Sequence, residues 1–171
     1  MDINFTDAER VILANQYDIL GRLDESNRKD YERTAAALRD GHSYIYDQVF
    51  DWVSPVLAQE KQEFVLAVLN LYSNLNNSVR HYGPDAGIAK EDLAWPGFDG
   101  NNESDLYSFS CALAKSGRYP ELLGEEGINS HSHTLDIYKR MLKRSIEVNA
   151  HYPLNVDQAM QILDARRYPG Q

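Results

Sequence analysis

The chain has 171 residues, of which 43% are apolar; this supports one substantial core and predicts a single domain over residues 1–171. Twenty-six acidic against 17 basic residues give a formal net charge of −9. This charge repels phosphate backbones and anionic lipid headgroups, so we expect neither nucleic acid nor a membrane as a partner. The longest apolar run, Phe64–Leu69, is far shorter than the roughly 20 residues of a membrane helix.

The first ten residues, MDINFTDAER, lack the positive and apolar segments of a secretory signal. One cysteine, Cys111, excludes an intramolecular disulfide and is typical of a reducing compartment. We therefore expect a cytoplasmic protein.

The apolar residues recur with a helical period and show no alternation typical of strands. This predicts an all-α fold, a multihelical single domain of about six to seven helices around one long central helix. Thr6 and Glu9 have the spacing of a capping box, so the first helix is predicted from there to about Leu23. Its Ile and Leu residues fall on one face with Gln16 in the middle. Gln16 is therefore a candidate ligand-binding residue, or an amide bonded to a loop backbone.

Three more elements follow along the chain. A second helix is predicted over residues 28–40, because Gly41 is the natural residue for a left-handed C-terminal position. A short helix is predicted over 44–50. Ser54 and Pro55 have the pattern of a helix cap and first turn, so the longest helix is predicted from there to about Tyr82.

The face of the long helix opposite its apolar side carries a line of uncharged polar residues. These are Asn70, Asn74, Asn77 and His81. Exposed helices commonly carry Lys and Glu instead, and asparagine offers two donors and an acceptor without a large desolvation cost. This line, the asparagine stripe, is either a solvated face or a contact surface for a protein or a small molecule.

A Gly- and Pro-rich loop of some twenty residues follows, over 82–102, with one helical turn predicted over 89–93. Loops of this length are uncommon in compact domains unless they are functional, disordered or held by their own side chains. Trp95 and Phe98 are predicted to hold it, and the space beneath them is a candidate pocket, lined also by Gln16 or the histidines.

The last three helices are predicted from residue 101 or 102 to just before Gly117, from Thr134 to Asn149, and from the cap at Asn155 to about residue 166. The second of these has an apolar arc spanning about half its circumference, which predicts packing on two sides. We therefore assign three of its residues to an oligomer interface. They are Tyr138, Met141 and Val148.

His131 and His133 alternate with serines and could begin a zinc site, with His151 or an acid as a third ligand. No zinc motif is present, however, and Ser130, Ser132 and Thr134 stand where helix caps are expected. The acidic run over 99–105 starts like a calcium loop but lacks its turn glycine and its last glutamate. We predict no metal and no cofactor, and no catalytic signature assigns a catalytic residue.

Four segments resemble the YfbU family of small bacterial proteins. They are AERVILANQYDIL (8–20), GFDGNNESDLYSF (97–109), GRYPEL (117–122) and GINSHSHTLDIYKRML (127–142). Their order and spacing fit nearly the whole chain except the tail RRYPGQ. The resemblance implies an all-α, multihelical cytosolic protein of a family without an established biochemical activity. It transfers no catalytic residue, and His131 and His133 are features of this member.

The leading hypothesis is a non-enzymatic helical protein that forms a homo-oligomer or binds a protein partner. The asparagine stripe, the apolar arc of the helix from Thr134, or both would provide the surface. The alternative is a ligand-binding protein or a metal-dependent enzyme with a pocket under the Trp95 and Phe98 loop. Nucleic-acid regulation is disfavoured by the net charge.

Overall fold

The computed structural model describes residues 4–83 and 87–167. The chain divides after Val56 into two compact units, residues 1–56 and 57–171, which we call the first and the second unit. Each unit has its own cluster of buried apolar side chains. The expectation of one domain over the whole chain stays a prediction.

The first unit is built from α1 (Asp7–Leu23), α2 (Arg28–Asp40) and α3 (Ser43–Asp47), with 3₁₀ turns at Glu25–Asn27 and Gln48–Phe50. The predicted capping box is present: the Thr6 N–H donates to Glu9 Oε2 at 2.8 Å, and the Glu9 N–H donates to Thr6 Oγ1 at 3.3 Å. Gly41 ends α2 in the left-handed conformation, with φ of 74°. The first two helix predictions for this unit are confirmed to within a residue at each end, and the short helix predicted over 44–50 is divided between α3 and the second 3₁₀ turn.

The side of α1 that is buried differs from the prediction. Ala14 and Gly21 are buried against α2, and a Cβ built at Gly21 would lie only 3.6 Å from Tyr31 Cβ. Most of the face predicted to enter the core is exposed instead: Ile12 is 56% and Ile19 55% exposed, whereas Leu13 is half-buried against the buried cluster. Small residues let α1 and α2 approach closely, which turns the large apolar residues outward. Gln16 is exposed with them, so the expectation of an amide in an apolar setting is wrong.

The second unit surrounds α4 (Gln59–Tyr82), the longest helix of the described residues. Five further helices contact α4. They are α5 (Lys90–Leu93), α6 (Ser104–Lys115), α7 (Pro120–Leu123), α8 (Leu135–Glu147) and α9 (Val156–Asp164). This arrangement confirms the predicted long central helix. The asparagine cap predicted at Asn155 is also confirmed, as a capping box with Gln158.

Two details of the second unit correct the prediction. Helix α4 begins at Gln59 rather than at Pro55, and residues 54–58 are not helical. The side-chain amide of Gln62 donates to the Leu57 carbonyl at 2.8 Å and so ties this segment to the first turn of α4. Helix α7 lies between the helices predicted to end before Gly117 and to begin at Thr134, where the sequence predicts no helix. The described residues contain nine α-helices and no strand, only one isolated bridge between Phe98 and Asn129. The all-α class is therefore confirmed, with more short helices than expected.

Candidate functional site

Two loops of the second unit, which carry the buried polar residues Asp99, Glu103 and Thr134, lie against each other. Residues 97–103 lead into α6, and residues 127–134 lead into α8. The Ser130 N–H donates to the Phe98 carbonyl at 3.1 Å, beside the bridge between Phe98 and Asn129. Gly97 has φ of +96°, and a Cβ there would lie 2.1 Å from the Ile128 carbonyl oxygen. Only glycine permits this approach of the two backbones.

The buried carboxylate of Glu103 joins the two loops. Its Oε1 accepts from the N–H groups of Thr134 and Leu135 at 2.8 and 2.7 Å, and its Oε2 accepts from the Asp99 N–H at 2.9 Å and from Thr134 Oγ1 at 2.8 Å. Burial would raise the pKa of Glu103, but these hydrogen bonds outweigh it and lower the pKa. Glu103 therefore remains ionised and caps the N-terminus of α8 from a distant loop.

This cap differs from the predicted one. Thr134 is the N-cap residue of α8, but its hydroxyl makes no cap bond to the helix and instead contacts the Gly97 carbonyl at 3.1 Å and Glu103. Ser130 and Ser132 bond to each other's backbone. The cap prediction is correct in placing a helix start here and wrong about the side chain that provides the acceptor.

Asp99 completes what we call the Glu103 cluster, which consists of Asp99, Glu103, Asn129 and Thr134. Asp99 accepts from the Asn102 side chain at 2.6 Å and from the Asn101 N–H at 2.9 Å, and these bonds lower its pKa. Asn129 Oδ1 accepts from the N–H groups of Gly100 and His131 at 3.1 and 2.9 Å. The acceptors of the cluster thus serve to close turns and to cap a helix.

His131 and His133 are both exposed and lie outside this cluster's hydrogen bonds except through the His131 backbone. His151, the suggested third ligand, is exposed and lies 3.1 Å from Asn149 Oδ1 through its Nε2. Within residues 4–83 and 87–167, no group of three or more His, Cys, Asp or Glu side chains is placed to hold a metal ion.

The asparagine stripe is partly used inside the second unit. Asn70 Oδ1 accepts from the Tyr119 hydroxyl at 2.8 Å, and Asn77 is 3.5 Å from Ser73 Oγ. Asn74 is half-buried at a cavity of about 180 Å³. His81 is exposed and packs edge-on against Tyr82, with ring centroids 5.4 Å apart. A contact role for the stripe stays a prediction.

The sequence does not single out the one asparagine of α4 whose side chain donates to backbone carbonyls of two different segments. Asn76 lies beside the stripe, and its Nδ2 donates to the Tyr72 carbonyl at 2.9 Å and to the Leu93 carbonyl at 3.0 Å. It therefore fastens α5 to α4. No spacing in the sequence distinguishes it from its neighbours Asn74 and Asn77.

The residues assigned to an oligomer interface on α8 lie mostly inside the second unit. Tyr138 and Met141 are fully buried; the Tyr138 hydroxyl donates to the Gly97 carbonyl at 2.6 Å, and the Tyr72 hydroxyl lies 3.6 Å from Met141 Sδ. Val148 is half-buried against the same core. The broad apolar arc arises because α8 packs against several neighbours within its unit, so Tyr138 and Met141 do not form an outer surface.

Trp95 and Phe98 hold the long loop, as predicted. Both are buried, and their rings meet edge to face with centroids 5.6 Å apart. Phe98 lies deep in the core beside Tyr138, while Trp95 also lines a cleft of about 690 Å³. Among the described residues, Trp95 Nε1 has no hydrogen-bond partner. Gln16 belongs to the first unit and does not line this cleft.

Except for Leu13, which packs against the buried cluster of the first unit, the surface of α1 that the sequence assigns to the core is exposed. The exposed part consists of Ile12, Gln16, Ile19, Leu20 and Leu23, and we call it the outer face of α1. Its apolar periodicity is visible in the sequence. What the sequence does not show is that Ala14 and Gly21 occupy the buried side.

A match to a protein-family model identifies the family of this chain. The model described as the YfbU domain matches residues 3–165. The chain belongs to the YfbU family. The match leaves residues 166–171 outside, in agreement with the resemblance found in the sequence.

Three YfbU relatives are each 28% identical to the chain over 165 residues. A UPF0304 protein of Methanocaldococcus jannaschii covers 92% of this chain and 97% of its own length. UPF0304 proteins of Actinobacillus succinogenes and Pasteurella multocida each cover 95% of this chain and 100% of their own length. Neither the family description nor these names indicates an enzymatic activity.

The residues of the Glu103 cluster come from two of the four YfbU-like segments, and their hydrogen bonds join two loops of the second unit. The segment 97–109 supplies Asp99 and Glu103, and the segment 127–142 supplies Asn129 and Thr134. None of the helices in the described ranges combines the length and the apolar composition needed to cross a bilayer.

Proposed function

We propose that this YfbU protein self-associates through the outer face of α1, with a second copy of the chain as its partner. The observation that carries the proposal is that α1 is apolar on two opposite sides. Ala14 and Gly21 face α2 inside the unit, while Ile12, Ile19 and Leu23 are turned away from it and are more than half exposed. An exposed apolar stripe of this kind is typical of a protein interaction site.

The spacing of the outer face fits a second copy of the same helix. Positions 12, 16, 19 and 23 follow intervals of four, three and four, the pattern of a helix pair packed along a seam. Two-fold symmetry places the same patch on both copies. Gln16 supports this arrangement, because its amide both donates and accepts, so two Gln16 side chains satisfy each other across a two-fold axis.

The test compares two isoleucine-to-glutamate variants by native mass spectrometry and by light scattering after size exclusion. Ile19→Glu places a charge on the outer face of α1. Ile146→Glu makes the same chemical change on α8, where Ile146 is 79% exposed. We expect the unmodified protein and Ile146→Glu to be dimers or larger, and Ile19→Glu to be a monomer with an unchanged circular dichroism spectrum.

A monomeric unmodified protein at about 100 µM would contradict the proposal, because the free energy of association would then be weaker than about −5.5 kcal/mol. An Ile19→Glu variant that keeps its assembly would also contradict it. Dissociation by Ile146→Glu alone would move the interface to α8.

We also propose a cytoplasmic location, supported by the single cysteine and the acidic composition. Cell fractionation tests it: the protein is expected in the soluble cytosolic fraction, and recovery mainly from the cell envelope would refute it.

A further inference from the structure

The cleft beside Trp95 is a separate feature of the second unit, and its function does not depend on self-association. Its volume is about 690 Å³, within the range of roughly 300–1,000 Å³ that small-molecule sites occupy. Three segments form it: part of α4, the loop with α5, and residues 121–128. The residues that the argument uses are Val79, Arg80, Lys90, Trp95, Glu121 and Leu122.

The inner wall of the cleft is apolar. Val79 and Trp95 are buried and Leu122 is half-buried, and Ile88, Leu93, Ala94 and Ile128 continue the apolar wall. Such a wall favours the hydrocarbon body of a ligand, at about 25 cal/mol for each Å² removed from water. Asn76 is the one amide there, and its Nδ2 is already engaged with two backbone carbonyls.

The rim of the cleft is charged. Among the described residues of its lining, Arg80, Lys90 and Glu121 are charged, and all three are exposed. Arg80 pairs with Glu121 at 2.9 Å, so within this described part of the rim two cations and one carboxylate leave one positive charge, in a chain whose formal charge is −9. The rim therefore favours one negative charge on the ligand.

We propose that the Trp95 cleft binds a small organic acid that has an apolar body and a single carboxylate. The apolar body lies against Val79, Trp95 and Leu122, and the carboxylate lies toward Lys90 at the rim. The ligand is held by burial and by charge.

Octanoate is the probe, and Trp95 is the reporter. The chain has two tryptophans, and Trp52 is 80% exposed in the first unit, so a Trp52→Phe variant leaves Trp95 as the only indole. We expect octanoate to change the Trp95 fluorescence saturably, and octylamine, which has the same chain with a cationic head, to have no saturable effect. Octan-1-ol should bind at least about fivefold more weakly than octanoate, because it lacks the charge.

A matched pair of charge reversals then tests where the carboxylate of the ligand lies. Lys90→Glu changes the rim, and Lys115→Glu makes the same change at an exposed position at the end of α6, away from the cleft. Lys90→Glu should weaken octanoate binding about fivefold or more, and Lys115→Glu should leave it within twofold. Octan-1-ol binding should be equal in the two variants.

Three results would overturn the proposal. The first is the absence of a saturable change with octanoate up to its solubility limit. The second is octylamine or octan-1-ol binding as tightly as octanoate, which would remove the preference for an anion. The third is equal weakening by Lys90→Glu and Lys115→Glu, which would place the acid elsewhere on the surface.

Discussion

The two units of the chain use their apolar residues in opposite ways. In the second unit the largest side chains are inside: Tyr72, Phe98, Tyr138 and Met141 are fully buried around α4. In the first unit the buried cluster is three alanines, Leu38 and Tyr46. Ten of the fourteen exposed large hydrophobic side chains of the described residues belong to the first unit, although it is the shorter of the two.

The exposed apolar surface of the described residues is therefore concentrated in the first unit. The second unit builds its core from side chains of six helices and fixes its loops through the Glu103 cluster. The first unit packs a helical hairpin through small residues and presents its large ones to the outside. We therefore expect substitutions in the second unit to lower its folding stability, and substitutions on the outer face of α1 to change assembly.

The largest expected effect is on the loops of the second unit. Gly97→Ala forces a Cβ to within 2.1 Å of the Ile128 carbonyl oxygen at φ of +96°, so we expect a loss of about 4 kcal/mol or more. Gly117→Ala is the matched control: it has φ of +73° but no atom within 4 Å of the new Cβ, and should cost about 1 kcal/mol.

Urea unfolding followed by Trp95 fluorescence in the Trp52→Phe background measures both variants in the second unit. Equal losses for Gly97→Ala and Gly117→Ala would show that the close backbone approach is not a constraint. The contact between Gly97 and Ile128 would then contribute little to holding the two loops of the second unit together.

A smaller effect is expected at Glu103. Glu103→Gln removes the charge that four hydrogen-bond donors face, so we expect a loss of about 2–3 kcal/mol at neutral pH. Glu125→Gln makes the same change at an exposed position and should cost less than about 0.5 kcal/mol.

The pH dependence sharpens this prediction. The folded state lowers the pKa of Glu103, so its contribution is fully present above the ordinary glutamate pKa of 4.5 and is lost as the pH falls through the lower, folded pKa. The gap in stability between the unmodified protein and Glu103→Gln should therefore narrow below pH 4.5. A gap that is constant from pH 7 to acid would contradict an ionised Glu103.

Next in size is a dependence on protein concentration that is confined to the first unit. If a second copy covers the outer face of α1, each tenfold rise in concentration should stabilise the assembled protein by up to about 1.4 kcal/mol. Hydrogen exchange of peptides from residues 7–23 should slow with concentration, while peptides from α8 should not respond. Ile19→Glu should abolish the dependence, and a dependence that survives in this variant would rule out the outer face as the interface.

The sequence predicts the local elements well, because their signals are local. Thr6 with Glu9, and Asn155 with Gln158, form the caps that their spacing indicates, and Gly41 ends α2 where expected. Hydrophobic periodicity also identifies α4 and the apolar stripe on α1. It does not say what a stripe faces, because that depends on which side of α1 meets α2.

The same limit explains the errors at the candidate sites. The Tyr138 and Met141 arc is apolar because α8 is surrounded inside its unit, which periodicity alone cannot separate from an interface. The cap of α8 comes from Glu103, 31 residues before Thr134 in the chain, so no local pattern reveals it. The sequence predicts a pocket under Trp95 and Phe98 with Gln16 or the histidines in its lining, whereas the cleft includes Trp95 alone of these residues, and the charges at its rim come from α4, α5 and α7.

The smallest expected effect compares two amides of α4 that the sequence cannot distinguish. Asn76→Ala leaves the Leu93 carbonyl without its 3.0 Å donor, so we expect a loss of about 1 kcal/mol, measured by urea unfolding with Trp95 as the reporter. Asn74→Ala, two residues away on the asparagine stripe, should cost less than about 0.5 kcal/mol and leave the number of subunits in the assembly unchanged in native mass spectrometry. If Asn74→Ala dissociates the assembly, the stripe is a contact surface after all, and the second unit contributes to the interface that we place on α1.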